Sequence, residues 1–141
     1  MAEAAIGHGA GGERRPAVAM RWGGRVLTGL VALFLAMDAG MKLADAVWVR
    51  QAAAGIGWPA SLDRPLGAIE LIGLVLLVVP RTAVLGAIWL TGLFGGAIAA
   101  HLRQGDPLIS HVLFGVYLGV MMWGGLWLRD ERVRALLPLR R

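Results

Sequence analysis

Residues 83–100 read AVLGAIWLTGLFGGAIAA, an uninterrupted stretch without one charged side chain. A helix rises 1.5 Å per residue, and a hydrocarbon core about 30 Å thick takes about 20 residues, with a range of about 17 to 25. This run therefore predicts a membrane span. Working outward, Val26–Leu43 and Val112–Leu128 are apolar runs of comparable length, and Leu66–Val79 is a shorter one between Pro65 and Pro80. Proline is tolerated in a first helical turn, so the short run can be extended back to Leu62 and into the interface. A buried helix that does not cross is the competing reading for it.

The composition supports the same class. Of the 141 residues 57% are hydrophobic and only 16% charged, and the mean hydropathy is +0.67; soluble domains carry roughly a quarter charged residues. A soluble enzyme core and a disordered chain are excluded. The absence of cysteine excludes a disulfide scaffold, thiol exchange, thiolate metal ligation and iron–sulfur clusters. No phosphate-binding glycine loop is present. Lys and Arg number 14 against 9 Asp and Glu, but they form no stripe on a soluble face, so no nucleic-acid partner is expected.

Placing the basic residues gives the topology. With four spans at 26–43, 62–79, 83–100 and 112–128, residues Arg14, Arg15, Arg21, Arg25, Arg81, Arg129, Arg132, Arg134, Arg140 and Arg141 share one side, and only Lys42, Arg50, Arg64 and Arg103 lie toward the other. The positive-inside rule then puts both termini in the cytoplasm. Trp22 and Trp127 fall at the inner boundary, Trp48 and Trp58 at the outer one. The expectation is an all-α integral membrane four-helix bundle, antiparallel and up-down, over residues 26–130. It is flanked by a disordered cytoplasmic tail at 1–25, in which Pro16 breaks any early helix, and a basic cytoplasmic tail at 131–141. Arg14-Arg15 hints at twin-arginine export, but the apolar run that follows is full length, which reads as an uncleaved first span. A short interfacial helix is expected between spans one and two, before the turn at 55–59. Thr82 is a candidate N-cap for span three. Small residues at four-residue spacing, Ala32, Ala36 and Gly40, Gly92 and Gly96, and Gly115 and Gly119, predict close packing within the chain and leave a homo-oligomer open.

The informative side chains are the ionisable ones within or at the ends of the apolar runs: Asp38, Lys42, Glu70, His101, Arg103 and His111, with Asp45 and Asp106 nearby. Such groups cost a few kcal/mol each in a membrane and are functional candidates for that reason. Asp38, Lys42 and Asp45 follow i, i+4, i+7 spacing and should share one face of span one. Helical rise puts Asp38 and Glu70 about 6 to 8 Å below the outer surface, and His101 and His111 flank the outer turn. All four helices thus direct polarity toward one outward-facing pocket. One reading is a fixed internal ion pair, with Lys42 between Asp38 and Glu70 holding two helices in register. The other is a polar site for a ligand headgroup, with Lys42 or His101 donating hydrogen bonds and Glu70 or Asp38 handling protons. His101 and His111 sit at the ends of one turn, which disfavours haem ligation, and the ligands for a zinc site are too few; no metal or intrinsic cofactor is expected.

Asp38-Ala39-Gly40-Met41-Lys42-Leu43, Pro65-Leu66-Gly67-Ala68-Ile69-Glu70-Leu71, Pro80-Arg81-Thr82, Gly95-Gly96-Ala97, His101-Leu102-Arg103, Trp123 and Leu128-Arg129-Asp130 follow one another in an order that resembles the DoxX-like family of small four-span bacterial membrane proteins. Lys42, Glu70, Arg81, His101 and Arg103 agree with the family pattern. The resemblance spans residues 26–135 and implies a multipass protein of the bacterial inner membrane. It also implies a role beside quinone chemistry, since relatives include small subunits of a thiosulfate:quinone oxidoreductase. On that basis Lys42, His101 or Arg103 would hydrogen-bond the carbonyls of a quinone, the chain would not be an enzyme by itself, and electrons would come from a redox partner protein. The alternatives are a non-catalytic interaction or assembly protein and a small proton-coupled transporter. The transporter fits less well because Lys42 already neutralises the carboxylate such a protein needs.

Overall fold

The computed structural model describes residues 14–136 and is helical throughout, with no strand among the described residues. Six α-helices follow in order: α1 (Arg14–Leu43), α2 (Val47–Gly55), α3 (Asp63–Val78), α4 (Ala83–Gln104), α5 (Phe114–Arg129) and α6 (Glu131–Leu136). A 3-10 turn at Ala60–Leu62 leads into α3, and a π-turn at Leu108–Val112 leads into α5.

The segments Ala17–Leu43, Ala83–Gln104 and Leu108–Arg129 are each long and apolar enough to cross a membrane. α3 has 16 residues, just under the length of about 17 that a span requires. The outward-facing surface is itself apolar: Leu33, Ile88, Ile109 and Val120 are all more than half exposed. A water-facing surface of this character would aggregate, whereas lipid solvates it.

α1 packs on α3 and α5, and α4 packs on the same two helices, so the four long helices close around a common centre. That centre holds Val31, Leu35, Leu74, Leu77, Leu90, Met122 and Leu126. Glycines set the closest approaches. A Cβ on Gly24 would lie 2.6 Å from the carbonyl oxygen of Gly125, and one on Gly125 would lie 2.6 Å from the hydroxyl of Thr28. On the other flank, a Cβ on Gly86 would run into the backbone of Leu76 and Leu77. Small residues let helix backbones approach where apolar burial gives no advantage over lipid.

Several expectations change. α1 begins at Arg14, so residues 14–25 are helical; Pro16 lies in the first turn, where its missing N–H breaks no intrahelical bond. Residues 131–136 of the expected tail form α6, whose Val133 is buried, and Arg134 donates to the carbonyls of Trp127 (3.2 Å) and Leu128 (3.0 Å). The remaining tail residues, 1–13 and 137–141, lie outside the described ones. Thr82 occupies the N-cap position of α4, but its hydroxyl donates back to the Leu76 carbonyl at 2.9 Å, in the last turn of α3, and gives α4 no side-chain cap. The expected small-residue ridges also fail in part: a Cβ added at Gly40, Gly92 or Gly96 would meet nothing within 4 Å, whereas one on Gly115 would come within 3.2 Å of the Phe94 carbonyl and of Ile98.

Candidate functional site

The site begins with one close crossing. A Cβ on Gly67 would come within 2.9 Å of the Lys42 Cβ and 3.1 Å of the Ala39 carbonyl, so the missing side chain brings α1 onto the start of α3. Glu70 lies three residues further, on the same face of α3. Lys42 Nζ donates to Asp38 Oδ2 at 2.5 Å and to Glu70 Oε2 at 2.7 Å. Lys42 and Asp38 keep about a quarter of their side-chain surface, while the Glu70 side chain is 2% exposed. Asp45 leaves this face: α1 has ended, the residue turns with φ 57°, and its carboxylate faces Arg50 at 3.5 Å and Arg64 at 3.9 Å.

The opposite wall is built by the end of α4. Gly105 adopts a positive φ of 73° and closes the helix, its N–H reaching Leu102 at 3.1 Å and that of Asp106 reaching His101 at 3.1 Å. The turn carries the Asp106 carboxylate back to His101 Nδ1, 2.6 Å away. A carboxylate at Nδ1 holds the neutral ring's proton there and leaves Nε2 as an acceptor. The π-turn then winds Val112 N onto the Pro107 carbonyl (3.3 Å) and Leu113 N onto that of Leu108 (2.8 Å). It places the His111 ring 5.8 Å from that of His101, edge to face, with Ser110 Oγ 2.8 Å from His111 Nδ1.

Between these walls lies a cavity of about 460 Å³, within the range of small-molecule sites. Asp38, Lys42, Glu70, His101 and His111 all line it. Arg103 does not: it is exposed and donates to the Ile56 carbonyl at 2.9 Å, tying the loop after α2 to the end of α4. The rest of the lining is largely apolar, with Phe34, Phe94, Phe114, Trp48 and Trp58, so the tryptophans expected only as interface anchors are also cavity walls. Gly92 and Gly96 line it from α4.

One residue of the site is not singled out by its sequence context. Asp63, at the start of α3, is 3% exposed and lines the same cavity. Its Oδ2 and Glu70 Oε1 are buried without a hydrogen-bond partner. The two acids stand seven residues apart, a heptad spacing that puts them on one helix face and is the one signal in the chain that points to Asp63. Among the described residues, no cluster of three or more His, Cys, Asp or Glu is arranged to hold a metal.

Apolar spanning helices closing on a cavity with a few buried charges define a multipass membrane protein. The chain belongs to the DoxX-like family, whose model matches residues 26–125. No curated protein and no solved structure matches it.

Proposed function

We propose that the chain is a four-span antiparallel bundle of the bacterial inner membrane, with both termini cytoplasmic, that binds a quinone-type small molecule in this cavity and serves a redox partner protein rather than catalysing a reaction alone. The close contacts support the antiparallel arrangement: Gly24 meets Gly125 at one end of α1, and the Phe34 ring lies 5.3 Å from that of Phe114 toward the other. α3 reaches the required depth with help from the 3-10 turn before it.

The observation that carries the ligand reading is the cavity itself, a space of about 460 Å³ with aromatic walls and a few convergent polar groups. Apolar walls suit a lipid-soluble ring, and the polar groups fix its orientation. Lys42 spends two of its three N–H bonds on Asp38 and Glu70 and has one left for an oxygen substituent. Gly92 and Gly96 are exposed and line the cavity, so this wall lacks side chains where a lipid-soluble molecule would enter.

The test is titration of the purified full chain, in nanodiscs, with a short-chain benzoquinone, followed by tryptophan fluorescence. The expected result is saturable quenching through Trp48 and Trp58, weakened in Lys42→Gln. The absence of saturable binding would overturn the proposal.

A further inference from the structure

The cavity wall holds buried acceptors that nothing among the described residues satisfies. Glu70 Oε1 and Asp63 Oδ2 are buried acceptors with no partner, and His101, its Nδ1 engaged by Asp106, presents Nε2 as a further acceptor in its neutral form. On the donor side, Lys42 retains one N–H after serving Asp38 and Glu70, and Trp48, Trp58 and His111 carry ring N–H groups at the cavity wall. A ligand that carries only carbonyl oxygens would leave the buried carboxylate oxygens unpaired, which is costly in an apolar surround. A ligand with hydroxyl groups would satisfy them. Sites built to pair a ligand's hydroxyl discriminate strongly against analogues that lack it, because their own polar atoms are then left bare.

We propose that the cavity selects the hydroxyl-bearing, reduced form of its ring ligand, a hydroquinone, and that Glu70 and Asp63 are the groups accepting its O–H bonds. This deepens the quinone-type reading above and rests on it. Asp63 is the specificity element: it has no ion-pair partner among the described residues, it sits outside the Lys42 cluster, and it stands on the same helix face as Glu70.

The experiment titrates the full chain in nanodiscs with three ligands sharing one ring and tail: the benzoquinone, its hydroquinone kept reduced under argon, and the hydroquinone dimethyl ether, which has acceptors only. The expected order is hydroquinone tightest, by about tenfold or more over the other two. Asp63→Asn, which replaces an acceptor oxygen with an N–H donor, is expected to shrink that preference. Equal affinities, or tighter benzoquinone binding, would overturn the inference and leave the quinone-type site standing. If none of the three binds, the quinone-type reading fails as well. The comparison of ligands on the unmodified chain decides the matter even if Asp63→Asn does not fold.

Discussion

Gly86 and Gly92 stand less than two turns apart on α4, yet a methyl group added to the first would strike the backbone of α3, and one added to the second would meet nothing within 4 Å. The two levels of the molecule are built on opposite plans. Toward the termini, Gly24, Gly86 and Gly125 bring helix backbones into contact, and the space between them is filled by Leu77, Met122 and Leu126. Toward α2, the helices are joined by the Lys42 ion pairs and by loop contacts such as Arg103 to Ile56, and a cavity remains between them. Along α4 the same residue type thus serves closeness at one level and openness at the other, while Gly67 still brings α1 onto α3 at the open level. A four-residue glycine spacing in the sequence does not distinguish the two.

The largest effect is expected where charge and packing meet. Lys42→Met strands Glu70, whose side chain is 2% exposed, and removing one partner of a buried pair costs about 3 to 5 kcal/mol. Thermal unfolding in detergent should show the loss, and combining it with Asp38→Asn and Glu70→Gln should restore most of the stability without restoring ligand binding. A triple variant that regains binding would reduce the cluster to a clamp between α1 and α3. Gly86→Ala comes next, at about 1 to 3 kcal/mol, because α3 must move away from the added methyl. Gly92→Leu together with Gly96→Leu should change the unfolding temperature little and abolish ligand binding; a marked loss of stability would mean that this level is packed as tightly as the other. Arg103→Ala is the smallest, within about 1 kcal/mol, since Arg103 is exposed and is not itself part of the cavity lining.

Much of this arrangement is legible in the amino-acid sequence itself. The three long apolar runs appear as spanning segments, because length and hydropathy are local properties that lipid enforces. Lys42 pairs with Asp38 and Glu70 as spacing and depth imply, since an i, i+4 relation on a helix is also local. What the sequence hides depends on contacts between distant segments. Asp63 reads as an ordinary acid in a first helical turn, and it is buried because α2 and the 3-10 turn pack onto the start of α3. Arg103 reads as a site residue by its neighbour His101, but the loop after α2 captures it 47 positions away in sequence. Thr82 has the chemistry of a cap, yet the tight link between α3 and α4 offers the Leu76 carbonyl first.

The most direct test of the central claim, that the open level of the molecule is a ligand site, is native mass spectrometry of protein gently extracted from its membrane. The wild-type chain should carry a quinone-type molecule into the spectrometer, and the chain with both Gly92→Leu and Gly96→Leu should be intact and empty. Equal occupancy in the two chains, or no small molecule with either, would contradict the account.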